Sequence, residues 1–234
     1  MAMSFNRASG VHERHPMLWT RKPSPMAARR RLHFLAPTLL EYWAMRCALP
    51  HAHLHWSGVG LVRRQEMPQG TCVVVCGLAG ALVSDLPPGT ILIPERVGLA
   101  DGRTLLCDPA LVQALATAAH SLRLRLDTRP LLTASSLVVG DERLEWAQRG
   151  FVAVDMETGL LAGQGLRVAT IRVVLDGPEH DIASDWQRPW GSLLSPRLWP
   201  QLFWLGRAAP RYALRAARVV KRGLGTETSH LFVE

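Results

Sequence analysis

From Leu32 onward the chain alternates short, almost wholly apolar runs with segments whose apolar residues recur at helical spacing. LHFLA (32–36) predicts a strand, TLLEYWAMRCAL (38–49) a helix, and HLHWSGVG (53–60) a strand running into a glycine turn. TCVVVCGLAGAL (71–82) is continuously apolar, the pattern of a strand buried on both faces, and it too ends in a glycine turn. GTILIPERV (89–97) predicts a further strand, PALVQALATAAHSLR (109–123) a helix, RPLLTASSLVV (129–139) a strand and DERLEWAQRG (141–150) a helix. FVAVDM (151–156) then reads as strand, ETGLLAGQGL (157–166) as helix and VATIRVVLD (168–176) as strand. Val/Ile-rich strands separated by helices predict an α/β fold with the sheet covered on both faces. No internal repeat is visible. In such sheets ligands bind at the carboxyl ends of strands, so the residues that close each strand are where chemistry is sought.

Charge changes the picture at the two ends. The chain has 27 basic against 19 acidic residues, and the excess is not spread evenly. Residues 1–31 carry scattered Pro, Ser, His and Arg without periodicity and predict a disordered basic leader, with Met26 as an alternative start. Residues 185–234 predict a basic, aromatic helical segment: between 186 and 223 eight Arg and Lys side chains meet no acid, interleaved with Trp186, Trp190, Trp199, Phe203, Trp204 and Tyr212. Helices of that kind lie flat on anionic membrane interfaces, and the competing reading is a solvated face with the aromatics packed inward. No nucleic-acid motif accompanies the basic residues, and nucleic acid is not expected as a partner. Residues 32–184 then form the one α/β domain.

No run of about 18 apolar residues is present, so a membrane-spanning helix is not expected. The start lacks an apolar signal core, and Cys47, Cys72, Cys76 and Cys107 have no C-x-x-C spacing. Reduced thiols, a cytoplasmic location and no metal site are the expectation.

At the strand ends stand Glu41, the loops Gly58–Gly60 and Gly77–Gly80, the pair Met156–Glu157, and Arg172 with Asp176. Each has a bland reading. Glu41 suits a solvated helix, the glycines suit tight turns, Asp176 before Gly177-Pro178 is a good turn residue, and Glu157 fits a helix's first turn. Their joint position on one rim is what points to a site.

The same residues carry a resemblance. VAVDMETGLLAG, IRVVLD (171–176) and CGLAGALVSDLPPGTILIPE, in that order over residues 32–182, resemble the purine nucleoside phosphorylase and nucleosidase superfamily. The resemblance implies a three-layer α/β/α sandwich with a central mixed, largely parallel sheet, and cleavage of an N-glycosidic bond without metal or organic cofactor. Glu157 matches the carboxylate that holds the ribose hydroxyls, Met156 the apolar floor under the sugar, and Asp176 the group that protonates the departing purine. Leu78, Ala79 and Gly80 match the glycine turn of the substrate pocket, and Ser135, Ser136, Leu137 and Val138 the strand end that meets the base.

Hydrolysis is preferred over phosphorolysis. The positions matching the phosphate-binding Arg and Ser of the family's phosphorylases are Val75 and Leu78, neither of which binds phosphate. Glu41 falls where the nucleosidases carry a water-activating glutamate, and Arg172 where an arginine orients it; pairing with Arg172 is expected to keep Glu41 able to take a proton. Leu175 stands where those enzymes carry a serine that orients the aspartate, so Asp176 is expected to be held differently. The tail is similar to that of hopanoid-associated nucleosidases, which implies an adenosine-type nucleoside, including a lipid-linked one such as adenosylhopane, a role in hopanoid biosynthesis and a peripheral membrane association. A homo-oligomer is implied as well. The rival readings are a phosphate-dependent phosphorylase and a catalytically degenerate module that binds nucleosides or membranes.

Overall fold

The computed structural model describes residues 32–63, 71–178 and 199–225, the side chains of 199–202 excepted; the basic leader and residues 179–198, with Trp186 and Trp190 of the tail, lie outside the described residues. Ten strands form one sheet, β1 (Leu32–Ala36), β2 (His53–Trp56), β3 (Cys72–Ala81), β4 (Ile91–Leu92), β5 (Arg96–Leu99), β6 (Thr104–Leu106), β7 (Leu126–Asp127), β8 (Leu131–Thr133), β9 (Ala153–Asp155) and β10 (Arg167–Asp176). The main path runs β6-β5-β8-β9-β3-β10-β4-β7, with β1 pairing both β2 and β3. Three pairings are antiparallel, β10 with β4, β3 with β9 and β5 with β6; the others are parallel. The sheet is therefore mixed and largely parallel, as the strand pattern and the resemblance imply.

Helices cover both faces. Among the described residues the α-helices are α1 (Leu39–Ala48), α2 (Pro109–Ser121), α3 (Asp141–Gln148), α4 (Thr158–Ala162) and α5 (Trp199–Leu224). Alternation along β3 sets the two layers. Val74 and Cys76 pack with Met45 of α1, Leu111 and Leu115 of α2 and Ala213, Ala217 and Val220 of α5, whereas Val73 and Val75 pack with Leu161 of α4. Both faces of β3 are dry, which is why its sequence is apolar without interruption.

Local signals place the helices that matter for the site. Thr38 caps α1 by accepting from the Glu41 amide at 3.3 Å, while the Glu41 carboxylate returns to the Thr38 amide at 2.7 Å, a reciprocal capping box. Asp108 caps α2, accepting from Ala110 and Leu111, and Pro109 opens that helix where a missing N–H costs nothing. The long central strands β3 and β10 run parallel from Cys72 beside Arg167 to Gly80 beside Asp176, with a register shift between Val174 and Asp176. That irregularity falls at Leu175, beside the candidate acid, where bulges commonly re-aim a side chain.

The structure departs from the pattern-based expectation in several places. Gly77–Gly80, expected to form a loop, stay within β3, and the expected strand 129–139 is strand only over Leu131–Thr133. The run 89–97 is not one strand: Pro94 lacks an amide to donate, and the chain leaves β4 beside β10 and β7 to enter β5 beside β8. The segment 157–166 is helical only over Thr158–Ala162 and then turns through Gly163 and Gly165. Finally, α5 is 26 residues long and continues through Pro210. Its inner face (Ala213, Ala216, Ala217, Val219, Val220, Leu224) belongs to the main core, so this helix is integral to the domain's packing.

Candidate functional site

At the carboxyl end of β10 the guanidinium of Arg172, 1% exposed, is the centre of a buried charge network. Its Nη2 donates to Asp155 Oδ2 at 2.5 Å, to Glu157 Oε2 at 2.9 Å and to the Thr158 hydroxyl at 3.2 Å, while Nε donates to Thr170 Oγ1 and Nη1 to the Leu78 carbonyl. Burial works against the charge on Arg172, but the carboxylates of Asp155, Glu157 and Glu41 outweigh it and hold its pKa above the ordinary value. Arg172 stays a cation.

Glu157 follows β9 at the start of α4. Its Oε1 accepts from the Gly60 amide at 3.0 Å. That amide is aimed by a left-handed turn: Gly58 and Gly60 have φ of 71° and 65°, a region a side chain rarely enters. Burial raises the Glu157 pKa, Arg172 opposes that, and Asp155 and Glu41 add to it, with a net upward shift. Asp155 is fixed from several sides, accepting from Thr133 Oγ1 at 2.6 Å, from the Thr158 hydroxyl and from the Thr158 amide. Its position in the strand sequence D-M-E was visible, but its service as the second carboxylate on Arg172 was not.

Glu41 lies across β3. One oxygen completes the capping box and the other accepts from the Leu78 amide at 2.7 Å. A Cβ on Gly77 would meet Glu41 Oε1 at 2.6 Å and Arg172 Nη1 at 2.8 Å, so only glycine lets both groups approach this backbone. The expected direct pairing of Arg172 with Glu41 is corrected here. Both crowd the Cβ position of Gly77 without an ion pair between them, and Arg172 gives its ion pairs to Asp155 and Glu157, which enter from β9 and the start of α4.

Asp176 forms the second focus. Its Oδ2 accepts from Arg143 Nη2 at 2.5 Å, and both side chains are buried. Arg143 belongs to α3 and also donates to the Ala81 carbonyl, which fixes the guanidinium. The sequence reading left Asp176 without its serine and did not identify Arg143. One signal was available: in DERLEWAQ, Arg143 shares an inward stripe with Trp146 and Ala147, and a cation on a core-facing helix position needs a buried partner.

A pocket of about 70 Å³ opens here, lined by Gly80, Ser136, Leu137, Val138, Val139, Arg143, Val154, Asp155, Met156 and Asp176. Of the pocket residues read from sequence, Gly80, Ser136, Leu137, Val138 and Met156 meet in it. Leu78 and Ala79 stand outside its lining. Leu78 acts through its backbone, donating to Glu41 and accepting from Arg172, and Ala79 packs in the core from within β3. Ser135 is exposed beside the pocket, outside the lining. Asp155 reaches both the pocket and Arg172, so the two foci are continuous and stand at one end of the sheet.

The arrangement offers an apolar-walled slot with Asp176 and Met156 in its lining, Glu157 outside that lining at the start of α4, and a further carboxylate, Glu41, beside Gly77 of β3. It is fitted for donors and a basic leaving group. Among the described residues no group of His, Cys, Asp and Glu is placed to hold a metal ion. No disulfide joins the cysteines among the described residues, and Cys76 and Cys107 are buried. Burial pushes Cys76 up and Cys107 up to about 12, which removes both as nucleophiles at neutral pH.

Comparison with known proteins gives the same direction. The model of the phosphorylase superfamily matches residues 71–189. No curated protein sequence matches significantly. Among solved structures, the S-adenosylhomocysteine nucleosidase of Streptococcus pyogenes superposes with a TM-score of 0.62 at 16% identity, covering 84% of this chain and 96% of that one. The 5'-methylthioadenosine/S-adenosylhomocysteine nucleosidase of Neisseria meningitidis gives 0.63 at 15% identity, with 84% and 99% covered. A futalosine hydrolase mutant of Helicobacter pylori gives 0.61 at 13%, with 83% and 98% covered. At these identities the likeness is one of fold.

Proposed function

Because the chain belongs to the phosphorylase superfamily, we propose that it is a purine nucleosidase, hydrolysing the N-glycosidic bond of an adenosine-type nucleoside, with lipid-linked nucleosides such as adenosylhopane in its range. A cytoplasmic location and a homo-oligomeric state belong to the same proposal.

The observation that carries hydrolysis over phosphorolysis is the carboxyl half of β3. Val75 is fully buried, the Leu78 amide is already taken by Glu41, and Arg172 is committed to two carboxylates. A phosphate entering beside this strand would meet Glu41 and no uncommitted cation among the described residues, so water is the better-matched nucleophile. In this reading Glu41 takes the proton from the attacking water. Glu157 and Met156 bear on the ribose, where hydrogen bonds to a carboxylate strengthen as the sugar gains positive charge. Asp176 shares a proton with the departing base.

The test is incubation with adenosine, methylthioadenosine and adenosylhopane, with and without inorganic phosphate. Free adenine and a reducing sugar in both conditions are expected. Release that requires phosphate and yields ribose 1-phosphate would make the chain a phosphorylase, and binding without release would make it a module.

Within this reading Arg143 is a positioning residue, clamping one oxygen of Asp176 so that the carboxyl group is aimed along the pocket. Arg143→Met is expected to lower kcat on a purine nucleoside roughly a hundredfold with KM little changed, and Arg143→Lys to restore part of it. With 4-nitrophenyl riboside, whose leaving group needs no proton, the Met variant is expected to match the unaltered chain. Equal losses on both substrates would mean that Arg143 serves only the fold.

A further inference from the structure

The outer surface of the helical layer formed by α1, α2 and α5 carries a charge pattern that the reaction does not use. On α5, Phe203, Arg207, Arg211, Leu214, Arg218, Lys221 and Arg222 are exposed. At about 100° per residue these positions fall within roughly a third of the helix circumference, one stripe along its outer side. The inner side is the alanine and valine face already buried on the sheet. No Asp or Glu occurs in α5 or α2, and the one acid of α1, Glu41, is buried in the site. The exposed acids Asp141, Glu142 and Glu145 stand on α3.

The cations are not consumed internally. Arg215, which is half-buried, turns inward to the Gly89 carbonyl. The stripe arginines do not do this: Arg207 lies 5.0 Å over the ring of Phe203, itself 66% exposed, and Arg222 makes a 3.5 Å contact with Ser121 at the surface. Apolar side chains stand among them. Leu214 is 41% exposed, and on the adjoining α1 Trp43 is 61% and Leu39 49% exposed.

We propose that this face docks on an anionic phospholipid membrane surface, with α5 lying in the plane of the interface. Basic side chains meet the lipid headgroups, and Phe203, Leu214 and Trp43 enter the boundary with the acyl chains, where aromatic rings with adjacent cations are favoured. The helix rests on the bilayer and does not cross it; among the described residues no helix is long and apolar enough to do so. A second copy of the chain is a poor occupant, because a two-fold contact would set the same cationic stripe against itself. The inference stands apart from the nucleosidase reading and needs no catalytic residue.

The experiment is co-sedimentation of the full chain with vesicles of phosphatidylcholine alone and of phosphatidylcholine mixed with phosphatidylglycerol, at low and high salt. Binding is expected only with phosphatidylglycerol, weakening as salt rises. The triple change Arg207→Gln, Arg211→Gln, Arg218→Gln is expected to lower vesicle partitioning roughly a hundredfold, with the melting temperature unchanged. The same three positions as Lys are expected to keep it, and Trp43→Ala with Phe203→Ala to weaken it further at high salt. Equal binding to neutral and anionic vesicles, indifference to the triple change, or displacement from vesicles by a single-stranded oligonucleotide held on this face would overturn the proposal.

Discussion

Replacing Asp176 by Asn is expected to leave a folded chain that still binds a purine nucleoside but turns it over about 10²–10⁴-fold more slowly, the range a positioned general acid contributes. The amide oxygen of Asn can still accept from Arg143, so the buried guanidinium keeps a partner and the pocket keeps its shape. What is lost is the carboxyl group that Arg143 holds in the pocket lining, and with it the means of sharing a proton with the leaving base. Steady-state kcat and a thermal melt of the same preparation check this. Turnover close to that of the unaltered chain would take Asp176 out of the reaction. A large drop in melting temperature would show that the ion pair with Arg143 is needed chiefly to fold.

The second large effect falls on stability. Arg172→Met removes the cation that compensates Asp155 and Glu157, both buried. Breaking a buried pair from one side costs about 3–5 kcal/mol, which in a chain of this size lowers the melting temperature by roughly 10–15 °C. The deficit is expected to shrink in acid. Burial holds the Glu157 pKa above its ordinary value even with Arg172 present, so the folded state binds that proton more tightly than the unfolded one. The stability it contributes is therefore complete below the ordinary carboxylate range and is lost as pH rises through the raised folded value. Without Arg172 the upward shift grows, and the variant is expected to be least stable relative to the unaltered chain at neutral pH and above. Adding Glu157→Gln to Arg172→Met should recover part of the loss, because one of the stranded charges is gone. Equal melting of the single variant and the unaltered chain at neutral pH would contradict the network.

Much of the fold was legible because the long elements are locally specified. Residues 72–81 are apolar without interruption, and 168–175 nearly so, broken by Thr170 and Arg172; that pattern survives wherever both faces are covered. Thr38 and Glu41 announce the start of α1, and Asp108-Pro109 that of α2. The short strands β4, β6 and β7 have two or three residues each. No periodicity can be read from so few positions, and they exist only because a neighbouring strand offers backbone partners. In the site, Glu157, Arg172 and Asp176 were found because their residue types are out of place at the ends of apolar strands. Arg143 was missed because a cation in a polar-looking helix attracts no notice until the helix is docked.

The amino-acid order alone settled the long strands β3 and β10, that D-M-E and a terminal aspartate stand at two strand ends, and that positions 75 and 78 hold Val and Leu. Those are properties of spacing and residue type. Which carboxylate each arginine serves was decided only when the chain closed on itself. Arg172 chose Asp155 and Glu157 over Glu41, and Arg143 came from a separate helix to take the place of a hydroxyl missing beside Asp176. The reason is physical: a buried charge must find its partner within a few ångströms, and such distances are set by how strands far apart in sequence lie side by side. The same holds for α5, whose alanine face is unremarkable in the sequence and becomes core only once β3 and β10 lie beneath it.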